Sequence, residues 1–540
     1  MFTLRKAIGL SVLFVLLFLS ACGAAAPAAT QAPAVNDSNH NYESPAAATE
    51  APAAIEAPAY APTQSMGAPN QPLSGAPIQK SNNEPYDMFF EDYGVNPSID
   101  TEDDNLSTFA LDVDTGSYTV MRNYLNDGNL PPADSVRVEE YVNYFEQGYP
   151  IPPAHQAFGI SMDAAPSPFT ETERYDMLRV GIQGYKVDEE ERKDAALTFV
   201  IDVSGSMDMD NRLELVKRSL ELLVEQLHRS DSVSIVVYGS DARVVLDPTT
   251  GSDTREILRA IRRLEPEGAT NAEDGIRLGY RMAMEAYKPD GINRVILCSD
   301  GVANVGNTEA EVILSEVKGY VDEGITMATF GFGMDNYNDT LMEQLADNGD
   351  GFYAYIDDID EAERLFVDEL TSTLQTIAMN AKVQVDFNPE TVKRYRLVGF
   401  ENRAIADNDF RDNTVDAGEI GAGHTVTALY EIKLYPDAYG RVATVNMRWE
   451  DPDTRAITEI SRDFDASEVA YDFRETDPYF QRAVVVAEYA EILKESHWAE
   501  DSSLSAVYKE AERINEYLYR DDVMNEFVNL VRRARSIKEY

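Results

Sequence analysis

The chain has 540 residues, which exceeds one ordinary hydrophobic core, so two to four domains are expected. Its 95 acidic residues outnumber its 46 basic ones and give a formal charge of −49 at pH 7. Such acidity argues against nucleic acid as a partner, because the phosphates would be repelled, and two cysteines are too few for a disulfide framework.

The beginning of the chain has the features of a secretory leader. Arg5 and Lys6 precede an apolar stretch over residues 7–19, shorter than the ~20 residues of a membrane span. The next residues, Leu-Ser-Ala-Cys, end at Cys22 and resemble the lipobox of bacterial lipoproteins, in which the cysteine is diacylated. The resemblance implies a signal peptide over residues 1–21 and a lipid anchor on the outer face of a bacterial membrane, in the cell envelope. An ordinary signal peptide with an incidental cysteine is the alternative.

Two regions of different composition follow the leader. Residues 22–84 are rich in alanine and proline and have few bulky apolar side chains, so they are predicted to be a disordered tether. The composition changes at residue 85. Residues 85–191 mix strand and helix signals, with helical spacing of apolar residues over 136–145 and strand-like alternation over 177–183. This N-terminal region is therefore predicted to be mixed α+β.

Residues 192–374 alternate between apolar strands and amphipathic helices. The pattern predicts an α/β domain, Rossmann-like and doubly wound, with a mostly parallel sheet and helices on both faces. One strand follows its neighbour after only a few residues, which predicts an antiparallel edge hairpin. The predicted strands are Leu197–Asp202, Val233–Tyr238, Arg243–Leu246, Arg294–Cys298, Thr326–Phe332 and Phe352–Ile356. The predicted helices are Arg212–His228, Thr254–Leu264, Ala272–Ala286, Thr308–Asp322, Asp339–Ala346 and Ile359–Leu374.

The spacing of apolar residues changes twice in the last third of the chain, first to that of strands and then to that of helices. Residues 378–470 contain strand signals over 383–387, 395–400, 425–434 and 441–449. They predict a β-rich domain resembling a sandwich. Residues 471–540 are predicted to be helical, and basic residues near the end complement the dipole of the last helix. A partner surface at these basic residues is the alternative.

Three short motifs in the α/β domain combine carboxylates with hydroxyls. Asp202-Val-Ser204-Gly-Ser206 ends a buried strand and places one carboxylate and two hydroxyls on a single turn. Gly-Ala-Thr270-Asn and Ser-Asp300-Gly follow further along the chain. All three fall on loops at one edge of the predicted sheet, the edge at which open α/β sheets bind ligands. Hard divalent cations prefer such oxygen ligands, so the motifs predict a metal site.

The three-part set resembles the metal-ion-dependent adhesion site of von Willebrand factor type A (VWA) domains. The resemblance implies that the hydroxyls of Ser204, Ser206 and Thr270 coordinate the ion directly, while Asp202 and Asp300 often act through water. The expected ion is Mg²⁺, with Mn²⁺ close behind. Because few direct ligands are anionic, the ion stays electropositive and takes an Asp or Glu side chain from a protein partner.

The resemblance extends over nearly all of the chain beyond the tether. Residues 109–118 and 130–140 look like the N-terminal region of a family of bacterial VWA lipoproteins, and residues 380–540 are similar to that family's C-terminal domain. The family implies a binding module and no enzyme. Nucleophilic hydrolysis lacks support, because no histidine lies near the serine motif in sequence and no GxSxG elbow is present. The alternative is a structural or envelope-assembly protein in which the metal only stabilises the fold and the flanking domains bind partners.

Overall fold

The structure is a computed structural model, and it describes seven stretches of the chain. They are residues 86, 88–111, 113–153, 156–169, 175–301, 307–334 and 337–539. The predicted signal peptide, the predicted lipidation site Cys22 and the predicted tether lie outside the described residues. Within the described stretches, every helix is too short or too polar to cross a bilayer.

The N-terminal region begins with short strands and continues with helices and two long strands. These elements are β1 (Met88–Phe89), β2 (Ile99–Asp100), β3 (Leu106–Ala110), α1 (Gly116–Asn126), α2 (Val138–Asn143), β4 (Phe158–Pro166) and β5 (Asp176–Gly184). Helix α2 and strand β5 coincide with the periodic segments seen in the sequence. The mixed α+β character of this region is therefore confirmed.

The central domain has the alternating strands and helices that the sequence predicts. Its elements are β6 (Ala195–Asp202), α3 (Arg212–Glu225), β7 (Ser232–Tyr238), β8 (Ala242–Thr250), α4 (Thr254–Arg262), α5 (Ala272–Glu285), β9 (Ile292–Ser299), α6 (Asn307–Val321), β10 (Thr326–Phe332), β11 (Tyr337–Asn338), α7 (Asp339–Asp347), β12 (Tyr353–Ile356), α8 (Ile359–Glu363) and α9 (Leu370–Leu374). The predicted helix over 359–374 is interrupted by a π-helical turn at Arg364–Asp368. That wider turn lets the Arg364 guanidinium reach Glu361 on one side and Glu369 on the other.

Six strands of the central domain form one sheet in the order β12-β10-β9-β6-β7-β8. Neighbouring strands are parallel except β7 and β8, which form the predicted antiparallel edge hairpin. Every residue of β6 and β9 is buried, because helices cover both faces. Helices α3, α4 and α8 contribute to the core on one face, and α5, α6 and α7 to the core on the other. The doubly wound α/β fold is confirmed.

The C-terminal part contributes six strands and then three helices. They are β13 (Thr376–Phe387), β14 (Val392–Val398), β15 (Gly418–Gly421), β16 (Thr425–Leu434), β17 (Arg441–Glu450), β18 (Ile457–Asp465), α10 (Pro478–Leu493), α11 (Leu504–Asn515) and α12 (Asp522–Lys538). One sheet has the order β15-β13-β17-β18, with β3 also paired to β13, and the other has the order β2-β14-β16-β5-β4. Side chains of both sheets share one hydrophobic core, so they form a sandwich.

The sandwich combines strands from both ends of the described chain, which the sequence places in two separate regions. Strand β3 runs antiparallel to β13 with Phe109 opposite Val383, and β5 pairs with β16 over eight residue pairs. The helices combine in the same way, because α1 and α2 share a core with α10, α11 and α12. Periodicity identifies each strand but carries no information on its partner, so this interleaving was not apparent from the sequence.

Candidate metal centre

The first loop of the candidate site leaves the buried strand β6. Asp202, the last residue of β6, is fully buried, and the backbone N–H of Ser204 donates to its Oδ1 at 2.8 Å. The hydroxyl oxygens of Ser204 and Ser206 lie 3.0 Å apart. Ser206 is half-buried and Gly205 between the serines is exposed. One turn therefore gathers a carboxylate and two hydroxyls and is open to solvent at its tip.

The second loop, residues 267–271, carries Thr270 and lies against the first. The N–H of Gly205 donates to the carbonyl of Gly268 at 3.2 Å, which ties the two loops together. Gly268 has a φ of 72°, and a Cβ there would lie 2.2 Å from the hydroxyl oxygen of Ser240, so only glycine fits. Thr270 is half-buried and stands just before α5, whose N-cap is Asn271.

The third loop leaves β9, the parallel neighbour of β6, and carries Asp300. The hydroxyl of Ser299 donates to Asp202 Oδ2 at 3.0 Å, which links the third loop to the first. Asp300 is buried, and the Arg212 guanidinium donates to its Oδ2 at 2.8 Å. Because β6 and β9 are parallel neighbours, their carboxyl ends meet at one edge of the sheet, which brings the two predicted aspartates together.

Two buried carboxylates at one edge of the sheet form an electrostatically costly arrangement. Burial raises the pKa of Asp202 to about 6, and the negative charge of Asp300 adds to the rise. The hydrogen bonds from Ser204 and Ser299 act against it. A divalent cation would stabilise both carboxylates, and the hydroxyl and carboxylate oxygens of these loops are the ligand types that Mg²⁺ prefers. The donor set fits such an ion, and its binding stays a prediction.

Two residues of this site were given no role from the sequence. Ser299 stands beside Asp300 in the third motif, and its hydroxyl supports Asp202. Arg212 is the first residue of α3, yet it contacts Asp300. A cation at a helix N-terminus opposes the helix dipole. An arginine at the predicted start of a helix is therefore unfavourable unless it has an anionic partner, and this is the sequence feature that could have indicated the contact with Asp300.

Two other clusters of potential ligands occur in the described residues, and both have protein partners. The ligand atoms of Asp194, His228 and Asp231 lie within 4.8 Å of one another, but Arg192 and a backbone N–H already bind the Asp231 carboxylate. The second cluster consists of Asp350, Asp416 and Glu419, and there Lys318 donates to Asp416 at 2.8 Å. The contacts of Asp231 account for the first cluster without a metal ion. In the second cluster, burial and the neighbouring acidic charges raise the pKa of Asp350 to about 6 and hold the pKa of Glu419 above its usual range.

Comparison with known protein families identifies the type of domain that carries these three loops. The family described as "von Willebrand factor type A domain" matches residues 196–368, and the family "von Willebrand factor" matches residues 84–176. The family "Uncharacterized protein YfbK, C-terminal" matches residues 372–537. The chain therefore combines a VWA domain with this C-terminal domain. A VWA domain is a protein-interaction module.

Among its relatives, the chain is 40% identical over 373 residues to "Uncharacterized protein YfbK" of Escherichia coli (strain K12), covering 68% of this chain and 64% of the relative. It is 29% identical over 284 residues to "Uncharacterized protein sll0103" of Synechocystis, covering 51% of this chain and 66% of that one. Among solved structures, "von Willebrand factor type A from Catenulispora acidiphila" is 15% identical, covers 69% of this chain and 89% of its own, and has a TM-score of 0.41.

Proposed function

We propose that this protein is a lipid-anchored, extracytoplasmic VWA protein that uses a Mg²⁺-type ion to bind an acidic side chain of a protein partner. The observation that carries the proposal is the meeting of three polar loops at the carboxyl edge of the central sheet. The hydrogen bonds between Ser299 and Asp202 and between Gly205 and Gly268 hold these loops together. A binding module of this kind needs no catalytic group.

The residues of the site would interact with an ion in two different ways. The hydroxyls of Ser204, Ser206 and Thr270 would coordinate it directly, and the carboxylates of Asp202 and Asp300 would balance its charge through bound water. When bound, the ion supplies one open coordination position for an anionic oxygen. The exposed tip of the first loop leaves that position within reach of a partner's Asp or Glu side chain.

We propose that the protein acts at the outer face of a bacterial membrane. The support is the lipobox-like sequence ending at Cys22 and the alanine- and proline-rich composition of residues 22–84. Removal of the leader takes away Arg5 and Lys6 and changes the formal charge from −49 to −51. Two acyl chains at Cys22 would hold the protein stably, where a single chain is marginal.

A pull-down from solubilised envelopes with the full-length chain as bait tests the proposal. Three conditions are compared: Mg²⁺, EDTA, and Mg²⁺ with a Thr270→Ala variant. Ser252→Ala removes an exposed hydroxyl just before α4 and serves as the matched control. We expect the wild-type and Ser252→Ala proteins to retain a partner in Mg²⁺. We expect that partner to be lost in EDTA and in the Thr270→Ala variant. The same partners under all conditions would refute metal-dependent binding.

A second candidate function rests on the flanking regions. A cavity of about 480 Å³ lies between the π-helical turn of the central domain, the loop after α2 and the turn between β15 and β16. Polar side chains line it, including Arg364, Lys186 and Glu369. Under this second candidate function, the flanking regions bind the partner. The protein is then a structural or envelope-assembly component, and the metal ion only stabilises the fold. EDTA would then lower the melting temperature and leave partner binding unchanged.

A further inference from the structure

Arg212 is buried beside the candidate metal site although it is always charged. It is the first residue of α3 and is 3% exposed. The two residues before it, Asp210 and Asn211, have left-handed φ angles of 48° and 59°, so the chain turns sharply after the serine loop. This turn separates the loop that holds Ser204 and Ser206 from α3, and Arg212 stands directly after it.

The contacts of Arg212 connect three loops at the edge of the sheet. One NH group donates to Asp300 Oδ2 at 2.8 Å, and another donates to the carbonyl of Met334, after β10. The guanidinium passes so close to Gly333 that a Cβ there would lie 2.3 Å from Nε. Gly333 has a φ of 85°, which also favours glycine. Arg212 is therefore held in one place, with its charge against Asp300.

The two carboxylates of the site have different partners. Asp202 accepts hydrogen bonds from neutral donors, the N–H of Ser204 and the hydroxyl of Ser299. Asp300 is paired with the Arg212 cation. With a divalent ion bound, two carboxylates alone would form a neutral centre. Arg212 also lies 3.9 Å from the carboxylate of Asp210, but that side chain is exposed and its charge is screened by solvent. The charge of Arg212 therefore leaves the buried centre with one net positive charge.

We propose that Arg212 is a positioning residue that tunes this metal site toward carboxylate ligands. By neutralising Asp300 it weakens the hold of the protein on the ion and strengthens the attraction of the bound ion for an external anion. This inference rests on the proposed function and adds a physical reason for it. The site takes an anionic oxygen because the protein supplies one compensating negative charge too few.

Two affinities measured on the full-length chain test the role of Arg212. The first is the affinity for Mn²⁺ alone, by calorimetric titration. The second is the affinity of the Mn²⁺-loaded protein for acetate, from the paramagnetic broadening of the acetate methyl signal. Arg212→Gln removes the charge and keeps a hydrogen-bond donor. We expect it to bind Mn²⁺ roughly tenfold more tightly and acetate roughly tenfold more weakly.

Two further variants separate charge from structure. Arg218→Gln removes an exposed arginine of the same helix and is expected to change neither affinity. Arg212→Lys keeps the charge and is expected to hold both affinities within about threefold of wild type. Loss of acetate affinity in Arg212→Lys would overturn the inference, whether or not Arg212→Gln folds, because the charge is still present.

The outcomes distinguish this inference from the proposed function. If the wild-type protein binds Mn²⁺ and acetate, but Arg212→Gln weakens both or changes neither, Arg212 does not tune the site and the proposed function stands. If the wild-type protein binds no Mn²⁺ at these loops, both proposals fail. Opposite shifts of the two affinities in Arg212→Gln support the inference, because a merely structural residue would weaken both.

Discussion

Two regions of the molecule are assembled from the chain in opposite ways. One is the metal-site edge, the carboxyl edge of the central sheet that carries the candidate metal site, and the other is the β-sandwich. The metal-site edge takes its polar groups from loops within residues 202–301, which follow neighbouring strands or precede a helix of one domain. The sandwich pairs β3 with β13 and β5 with β16, across the whole central domain. Short sequence motifs can therefore specify the metal-site edge, whereas the sandwich depends on segments from both ends of the described chain. The flanking regions form one structural unit around the VWA domain, so neither can be removed without opening a core.

The largest effect is expected where the two ends of the chain meet. Phe109 is fully buried in the sandwich, and its ring centroid lies 4.8 Å from that of Phe400. Phe109→Ala should lower the free energy of unfolding by about 3–5 kcal/mol, because the truncation leaves a cavity. Urea unfolding followed by circular dichroism measures the loss. Phe89→Ala, at a ring that is 49% exposed, is the matched control and should cost less than about 1 kcal/mol. Equal losses would mean that β3 is not part of the sandwich core.

Helices α1, α2, α10, α11 and α12 form a helical layer with a common core. A buried arginine joins this layer to the central domain, and its loss should be nearly as costly as that of Phe109. The Arg122 guanidinium of α1 donates to Asp357 at 2.7 Å and to Glu361 at 3.0 Å, and both acceptors belong to the central domain. Arg122→Met would leave the buried Asp357 carboxylate without its cation, whereas Glu361 would keep its ion pair with Arg364. The expected loss is about 3 kcal/mol in the same unfolding experiment.

The control for Arg122→Met is an arginine in an exposed ion pair. Arg262 of α4 contacts Glu221 of α3 on the surface of the central domain. Arg262→Met should change stability by less than about 1 kcal/mol, because exposed ion pairs contribute little. If both variants lose the same amount, Arg122 does not couple the two parts of the molecule.

The metal-site edge should respond to ions, and the response should depend on one carboxylate. Mg²⁺ at a hundredfold excess over its dissociation constant should stabilise the protein by about 2.7 kcal/mol, because only the folded state presents the three loops together. Thermal melting with Mg²⁺ and with EDTA measures this difference. Asp202→Ala should abolish it, and Asp194→Ala, in the cluster with His228, should retain it. A response lost only in Asp194→Ala would move the ion site to that cluster.

The sequence predicted those parts of the molecule that depend on local pattern. Strand Thr326–Phe332 was predicted with the bounds that the structure gives, because a buried parallel strand is a continuous apolar run. The three loops of the candidate site follow from motif order and from parallel strands ending at one edge. Two kinds of feature were not predicted. The pairing of β3 with β13 depends on contacts between distant segments, and the Arg212–Asp300 ion pair depends on the turn through Asp210 and Asn211.

The smallest expected effect is a dependence of stability on pH within the helical layer. Burial raises the pKa of Glu488 in α10 from its usual 4.5 to about 7, and nearby Glu491 and Glu431 add to the rise. The folded state therefore holds a proton that the unfolded state has released. Its stabilising contribution is complete below pH about 4.5 and is lost as the pH rises through about 7. Ionised Glu488 then opposes folding.

Glu488→Gln should remove this dependence, since glutamine stays neutral at every pH. The variant should be more stable than wild type at pH 8, on the order of 1–2 kcal/mol, and should match wild type below pH about 4.5. Melting temperatures across this range measure the difference. Glu500→Gln, at an exposed position after α10, should follow the wild-type curve. A Glu488→Gln curve parallel to wild type would show that this carboxyl ionises freely, and that the helical layer tolerates its charge as the protein surface does.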